Sequence, residues 1–215
     1  MKRQYSKKYF DNYSQGKGYL LQNNNLTGAK RIKEIKALKK TKGRLLDVGC
    51  AFGFFLDLAK TAGFKTYGLD ISQYTLLKAN KEHQVNNIDV SQEKIPFKSN
   101  FFDVITLSHT LEHLTNPFFA LKETRRVLKI KGLLFIETPL RKRWTGDKTH
   151  FSYFDKISLR FILENLDFKI LKIGEEGGKL RNIFGIIRLL YKKNTLFNFV
   201  PQGTGSFLVC YCQKK

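Results

Sequence analysis

The sequence is poor in several kinds of residue whose scarcity excludes whole classes of protein. It has only three cysteines, and Cys210 and Cys212 are too close in sequence for an ordinary structural disulfide if both lie on one strand. Reduced thiols are therefore expected. No run of about 18 apolar residues occurs, so a transmembrane helix is not expected. The basic N-terminus has no apolar stretch behind it, as a signal peptide would, and we expect a cytoplasmic protein.

Acidic residues are also scarce. The chain has 18 Asp and Glu against 39 Lys and Arg, which gives a formal net charge of +21 at pH 7. Such an excess indicates a nucleic-acid partner or an anionic membrane. However, only 10 of the 39 basic residues are Arg, the side chain suited to bidentate phosphate recognition. We favour a general bias toward Lys and Asn, and nucleic acid is the less favoured partner.

The hydrophobic pattern predicts an α/β fold. At 215 residues, 42% of them hydrophobic, the chain can bury one sizeable core. Short apolar runs alternate with helical spacing, which is typical of a mostly parallel sheet with helices on both faces. Strands are predicted at 44–49, 65–70, 86–90, 102–108, 132–139, 168–176 and 205–213. Helices are predicted at 25–43, 53–63, 72–84 and 117–132. No comparable crossover separates the last two strands, which favours an antiparallel finish.

The stretch "LLDVGCAFGFF", beginning at Leu45, reads as a strand, a glycine turn and the start of a helix. Gly49 permits a tight turn and a close approach of ligand to backbone, and Gly53 lets the helix N-terminus pack closely beneath it. Asp70 closes the second strand 23 residues after Asp47, where an acid can accept hydrogen bonds from a ribose diol. Together these features predict a ligand of the adenosine type.

The spacing D-x-G-x-x-x-G distinguishes between adenosine ligands. A dinucleotide site usually shows G-x-G-x-x-G, with the pyrophosphate held by the glycine turn. Here a carboxylate at Asp47 would repel a pyrophosphate, but it suits the cationic amino-acid part of another cofactor. The pattern therefore predicts S-adenosylmethionine.

At this point the chain resembles a known family, the class I S-adenosylmethionine-dependent methyltransferases, and in particular quinone-biosynthesis O-methyltransferases. The resemblance runs from about Gly43 to the C-terminus. It rests on "LLDVGCAFGFF", "YGLDIS", "SQEKIPFKSNFFDVITLSHTLEHLTNP", "RRVLKIKGLLFIETP", "HFSYFDKISLRFILENLDF" and "GTGSFLVCYCQK". It implies a Rossmann-like sheet of seven strands, mostly parallel with an antiparallel last strand, and S-adenosylmethionine as the cofactor.

The resemblance also implies a set of cofactor contacts. The loop around the methionine part would comprise Asp47, Gly49, Cys50 and Gly53. Asp70 matches the ribose acid and Ile71 the residue flanking adenine, while Ser91 and Gln92 stand where relatives often have an Asp near the adenine amine. A second departure is Ala51, which replaces the middle glycine of the usual loop.

Three of the four histidines fall in motif regions. His109 follows the fourth predicted strand, where the resemblance places the methyl group, and we predict a catalytic role on the substrate side, as a general base. His109, Glu112, His113 and His150 could together hold a divalent metal, since some relatives carry a Glu-x-x-Glu-His version of this motif as metal ligands. We favour instead an interpretation in which Glu112 and His113 anchor a helix by hydrogen bonds. We therefore predict no metal, and expect these four side chains to lie apart.

Two segments outside the main pattern leave alternatives open. We assign 1–42 to an N-terminal flap and leading helix, and 43–215 to the methyltransferase domain with a lid-like helical insertion at about 177–203. The tyrosines of the first 19 residues belong to a flap over the cofactor or to a packed arm. Within the insertion, 179–193 has an apolar stripe with basic residues on its other faces, which fits either a lid or a helix lying on an anionic membrane.

The sequence thus predicts a methyltransferase acting on an oxygen or nitrogen of a small-molecule or glycan/lipid-type acceptor. The alternatives are an RNA methyltransferase and a catalytically inactive cofactor-binding scaffold. The oligomeric state is left open.

Overall fold

Seven strands form one sheet in the computed structural model, which describes residues 5–11, 25–40, 43–79, 81–140, 149–176 and 207–215. The strands are β1 (Arg44–Val48), β2 (Lys65–Asp70), β3 (Gln84–Asn87), β4 (Phe102–Ser108), β5 (Leu128–Pro139), β6 (Phe168–Glu176) and β7 (Phe207–Lys214). The helices are α1 (Lys7–Asp11), α2 (Asn25–Leu38), α3 (Phe54–Thr61), α4 (Gln73–Leu76), α5 (Pro117–Val127) and α6 (Lys156–Asn165), with a 3-10 turn at Leu111–His113.

The strand order is β3-β2-β1-β4-β5-β7-β6. The first five strands pair in parallel, and β7 is antiparallel to both β5 and β6. The predicted fold is thereby confirmed, including the antiparallel last strand. Strand order reverses between β1 and β4, which is where open α/β sheets bind ligands at the carboxyl ends of their strands.

Several of the predicted boundaries are wrong. The leading helix, predicted at 25–43, ends at Leu38, and the fifth strand begins at Leu128 rather than at 132. The third strand is Gln84–Asn87 rather than 86–90, because this polar edge strand is held by backbone pairing with β2 and shows no hydrophobic alternation. The helix predicted at 72–84 is confined to Gln73–Leu76. The helix predicted at 117–132 ends at Val127, because the fully buried Leu128 already pairs with Phe102 of β4 and begins β5.

The core has two layers, one on each face of the sheet. Neighbouring residues of a strand point to opposite faces, so Leu46 packs with the layer under α5 and α6, and Leu45 with the layer under α2 and α3. All three cysteines are buried free thiols, as expected. Among the described residues, no helix has the length and apolar character needed to cross a membrane.

A buried ion cluster joins α2 to the carboxyl ends of β5 and β6. The Arg31 guanidinium, only 4% exposed, donates from Nε and Nη2 to the Glu137 carboxylate at 3.2 and 2.9 Å, and from Nη1 to Glu176 at 2.8 Å. Burial of Arg31 opposes its charge, but the two carboxylates outweigh this and raise its pKa further. Burial likewise acts to raise the pKa of Glu176, yet Lys30 and Arg31 hold it well below its usual range.

We predict that Arg31→Met destabilises the protein by about 3 kcal/mol, because it leaves the buried Glu137 without its counter-ion. Chemical denaturation measures this change in the free energy of unfolding. The matched control is Arg160→Met, whose exposed partner is Glu164 at 3.1 Å. Exposed pairs of this kind are worth about 0.5 kcal/mol or less. Equal losses in the two variants would contradict a stabilising role for the buried cluster.

Candidate functional site

A cavity lies at the carboxyl ends of the parallel strands, at the point where strand order reverses. Its walls come from the segments that follow β1, β2, β3 and β4, and from α1 with its flanking residue. The lining residues are Tyr5, Tyr9, Phe10, Val48, Gly49, Ala51, Leu69, Asp70, Ile71, Ile88, Asp89, Val90, Ser91, Ser108, His109, Thr110, His113 and Leu114.

The turn after β1 requires glycine for two reasons. Gly49 has φ 83°, in the left-handed region, and a Cβ at this position would collide with the side chain of Thr110. That side chain is fixed, because its hydroxyl donates to the backbone oxygen of Val48 at 2.8 Å. The backbone therefore forms part of the cavity wall directly, and a ligand can approach it closely.

Asp70 connects this turn to the one after β2. Its Oδ2 accepts the N–H of Ala51, and its Oδ1 accepts the N–H of Ser72, both at 2.8 Å. Burial raises the pKa of Asp70 despite these hydrogen bonds. The carboxylate lines the cavity as the predicted ribose acid should, and it also fixes the shape of both turns.

Asp47 is outside the cavity lining, but it is close enough to Asp70 for the two charges to interact. It is buried, and its Oδ1 accepts the hydroxyl proton of Thr106 on β4 at 2.6 Å. Burial raises the pKa of Asp47 to about 7, the charge of Asp70 adds to the rise, and the Thr106 hydrogen bond opposes it. A cation bound nearby would favour the ionised form.

The structure brings half of the predicted cofactor residues to the cavity. Gly49, Asp70, Ile71 and Ser91 line it. Asp47, Cys50, Gly53 and Gln92 are outside the lining set. Cys50 belongs to the buried core on the α3 face of the sheet, and Gly53, with φ 80°, forms the N-cap of α3. Whether each of the eight contacts the cofactor stays a prediction.

Sequence reasoning missed Asp89. The predicted third strand, 86–90, includes this residue, but β3 ends at Asn87, so Asp89 falls in the following loop and lines the cavity. Its carboxylate accepts the N–H of Ser91 at 3.0 Å and the side-chain amide of the exposed Gln92 at 3.3 Å. Gln92 thus supports Asp89 from outside. An acid shortly after a polar strand was the available signal.

One buried group at this end of the cavity is left for a ligand. The Ser91 hydroxyl is buried and has no hydrogen-bond partner among the residues that the structure describes. Buried hydroxyls normally have a partner. With the carboxylates of Asp70 and Asp89 and the open backbone at Gly49, it forms a donor and acceptor set that fits an adenosine moiety.

Aromatic residues close one side of the cavity. Tyr5, Tyr9 and Phe10 line it, and the backbone oxygen of Tyr5 accepts the Ser72 hydroxyl proton at 2.7 Å. Tyr5 also packs edge-on against His113, with ring centroids 6.1 Å apart. The described part of the N-terminal segment is therefore packed over the site, whereas Tyr13, Tyr19 and the predicted insertion at 177–203 lie outside the described residues.

Three of the four metal-candidate side chains do lie together. Ligand atoms of Glu112, His113 and His150 are all within 4.8 Å of one another. Nδ1 of His109 is also 3.5 Å from Glu112 Oε1, so our expectation that the four lie apart is wrong. Hydrogen bonds also anchor the turn, as we favoured: Thr138 donates to Glu112 at 3.1 Å, and His113 Nδ1 lies 3.0 Å from the Thr149 carbonyl oxygen. The absence of a metal stays a prediction.

His109 stands at the end of β4 in a strained backbone conformation. Its φ of 51° is left-handed, and its N–H donates to the carbonyl oxygen of Glu137 at 2.8 Å. The ring packs edge-on against Phe207 with centroids 5.0 Å apart, and Nδ1 faces Glu112 Oε1 at 3.5 Å. The side chain is 45% exposed, so only partial desolvation of its ring opposes protonation. The carboxylate of Glu112, with a smaller contribution from Glu137, outweighs this desolvation and the charge of Arg31, so the pKa of His109 is raised.

Comparison with known proteins agrees with this geometry. A family model described as a methyltransferase domain matches residues 22–173. Among curated proteins, a ubiquinone biosynthesis O-methyltransferase of Glaesserella parasuis is 29% identical over 113 residues, which cover 46% of this chain and 48% of that protein. The chain thus spans about half the length of the curated relatives it matches.

Solved structures show the same fold. A SAM-dependent methyltransferase from Archaeoglobus fulgidus superimposes with a TM-score of 0.68 at 23% identity, covering 89% of this chain and 95% of that one. The [4+2]-cyclase SpnF superimposes with a TM-score of 0.65 at 19% identity, covering 86% and 80%. The fold and the matched family model define a class I, Rossmann-like methyltransferase domain, a family whose cofactor is S-adenosylmethionine. This chain belongs to the methyltransferase-domain family.

We predict that Asp70→Ala weakens S-adenosylmethionine binding by about 1.5–3 kcal/mol, or roughly tenfold to a hundredfold. The variant removes the acceptor predicted for the ribose diol and releases the N–H groups of Ala51 and Ser72. Isothermal calorimetry measures the affinity. The control is Asp167→Ala, an exposed carboxylate paired with Arg125, which should bind normally. Unchanged affinity in Asp70→Ala would refute the ribose assignment.

Asp47 predicts a pH dependence of stability. Because its pKa rises from an ordinary 3.8 to about 7, its protonated form favours the folded state, and this stability is lost as pH increases through about 7. Asp47→Asn keeps an acceptor for Thr106 without the charge. In cofactor-free melts, Tm of the wild type should fall relative to Asp47→Asn between about pH 5 and pH 8, where each kcal/mol is worth about 2–4 °C. Parallel curves would contradict the shifted pKa.

Proposed function

We propose that the protein transfers the methyl group of S-adenosylmethionine to an oxygen or nitrogen of a small-molecule or glycan/lipid-type acceptor. The observation that carries this proposal is that one cavity contains both Asp70, the residue predicted to bind the ribose, and His109, the residue predicted to face the acceptor. The two lie at the ends of β2 and β4, on either side of the turn after β1.

When bound, S-adenosylmethionine supplies a sulfonium methyl group that a nucleophile can take by in-line displacement, the C–S electron pair staying on sulfur. The chain's own contribution is to hold the two reactants in line and to accept a proton. Asp70, Asp89, Ser91 and the backbone at Gly49 would hold the cofactor. His109 would accept the proton of the acceptor's hydroxyl or amine.

The acceptor is best supported as an oxygen nucleophile. The curated relative named above is a ubiquinone biosynthesis O-methyltransferase, and aromatic side chains line the same cavity as His109. We propose that the N-terminal segment acts as a flap over the cofactor, since Tyr5, Tyr9 and Phe10 line the site. The domain division at 42/43 and the lid-like insertion are likewise part of the proposal.

A second candidate function is a reaction other than methyl transfer. The superimposable SpnF is described as a [4+2]-cyclase, so this fold also supports reactions other than methyl transfer. A multiple-turnover assay for S-adenosylhomocysteine, run with a panel of hydroxyl and amine acceptors, separates the candidates. Turnover with a small molecule supports our proposal, turnover with RNA that weakens steeply with salt supports the RNA alternative, and cofactor binding without turnover supports a scaffold.

We predict that His109→Gln lowers kcat about 10²–10⁴-fold, the usual contribution of a general base, while S-adenosylmethionine affinity is nearly unchanged. The base must be neutral to act. Because the pKa of His109 is raised, wild-type kcat/KM should fall as pH decreases through a value above that of an ordinary histidine. Steady-state kinetics and calorimetry measure both quantities. Full turnover in His109→Gln would remove His109 from the mechanism.

A further inference from the structure

Glu112 is a buried carboxylate that the cofactor cavity does not use. Glu112 is only 1% exposed and does not line the cavity. Its neighbours His109, Thr110 and His113 do line it. Its backbone oxygen accepts the N–H groups of Phe151 and Ser152 at 2.8 and 3.2 Å. These backbone hydrogen bonds hold the turn together with the Thr138 contact, and a neutral side chain at this position could accept the Thr138 hydroxyl equally well. The negative charge buried here therefore calls for a separate explanation.

The two oxygens of this carboxylate have different surroundings. Oε2 accepts the hydroxyl proton of Thr138, a fully buried residue of β5, at 3.1 Å. Oε1 is buried and has no hydrogen-bond partner among the described residues, and it lies 3.5 Å from Nδ1 of His109. That distance is long for a hydrogen bond, but catalytic hydrogen bonds are often long in free enzymes and tighten when the substrate binds.

Two contacts place the ring of His109, whose side chain is 45% exposed, beside this oxygen. Its backbone is fixed in a left-handed conformation by the hydrogen bond to Glu137, and the ring packs edge-on against Phe207. An ionised carboxylate can only accept a hydrogen bond, and a neutral imidazole carries one proton on one of its two nitrogens. A carboxylate facing Nδ1 therefore favours the tautomer with the proton on Nδ1.

We propose that Glu112, oriented by Thr138, is a positioning residue that keeps the proton of neutral His109 on Nδ1 and leaves Nε2 bare. This inference rests on the proposed function, in which His109 is the base. The Nε2 lone pair then forms the new N–H bond with the acceptor's proton, and the acceptor keeps the electron pair of its former O–H or N–H bond as the nucleophile. The resulting imidazolium retains its Nδ1 proton toward Glu112.

The tautomer can be observed directly, without any acceptor. The chain has four histidines, so ¹⁵N-histidine labelling gives four ring systems, and the His109 signals are identified by their loss in His109→Gln. Long-range ¹H–¹⁵N correlation spectra at about pH 9, where an imidazole is neutral, distinguish protonated from bare nitrogens. In the wild type we expect a protonated Nδ1 and a bare Nε2 at His109.

Glu112→Gln should reverse this assignment. Thr138 donates to the oxygen at the Oε2 position, so the amide oxygen stays there and the amide nitrogen takes the place of Oε1. An amide nitrogen is a donor, so it favours a bare Nδ1 and moves the His109 proton to Nε2. Thr138→Val removes only the orienting hydroxyl, and it should give a mixture of the two neutral tautomers of His109. It also serves as the second variant if Glu112→Gln does not fold.

The matched control is Glu123→Gln. Glu123 is a buried carboxylate on α5 that binds Ile95 and Arg126, and its loss should leave the His109 signals unchanged.

Activity gives a second readout. With its base in the wrong tautomer, Glu112→Gln should lose roughly a hundredfold or more in kcat with an active acceptor, with KM for S-adenosylmethionine nearly constant.

A wild-type His109 with its proton on Nε2, or a tautomer unchanged in Glu112→Gln, would overturn the inference. Its failure differs from a failure of the proposed function. If Glu112→Gln moves the proton but His109→Gln retains full turnover, Glu112 positions His109 and His109 is not the base. If His109→Gln is inactive but the tautomer ignores Glu112, the base stands and the positioning role is wrong.

Discussion

The pairing of Arg31 with Glu137 is the interaction on which the arrangement of the site depends. A guanidinium and a carboxylate that are both almost fully buried are costly unless each satisfies the other, and here two hydrogen bonds join them. The pair holds α2 against the end of β5. Glu137 also provides the carbonyl oxygen that fixes the backbone of His109, so the position of the leading helix and that of the predicted base are set together.

Carboxylates are concentrated at the same end of the sheet, although the protein as a whole is strongly basic. Burial raises the pKa of both Asp47 and Asp70, and the charge of Asp70 raises the pKa of Asp47 further. Two acids close together in an apolar setting disfavour their ionised forms. A cation bound here would relieve this cost. The sulfonium and ammonium charges of S-adenosylmethionine, which we propose binds at this end, would do so.

The proposed base, His109, has an unusual backbone conformation. A left-handed histidine is a strained residue, and the structure retains it by a backbone hydrogen bond, an aromatic contact with Phe207 and a carboxylate facing Nδ1. Phe207 begins β7 and pairs in register with Glu176 at the end of β6. The ends of the two strands that flank residues 177–206 therefore lie beside His109. The groups that contact its backbone and ring come from three separate parts of the chain.

Much of this could be predicted from the sequence, because alternating apolar periods, glycines with positive φ and acids at strand ends are local features. They specified the α/β fold, the antiparallel last strand, the turn at Gly49 and the role suggested for Asp70.

Two other features depended on tertiary contacts. Asp89 reached the cavity only because β3 is an edge strand whose pairing, not its hydrophobicity, decides where it ends. Glu112, His113 and His150 came together because a 3-10 turn packs against a segment more than 30 residues later, and the Arg31–Glu137 pair spans 106 residues. Sequence spacing carries no record of such distant pairings, because they are fixed only when the helices and strands pack against one another.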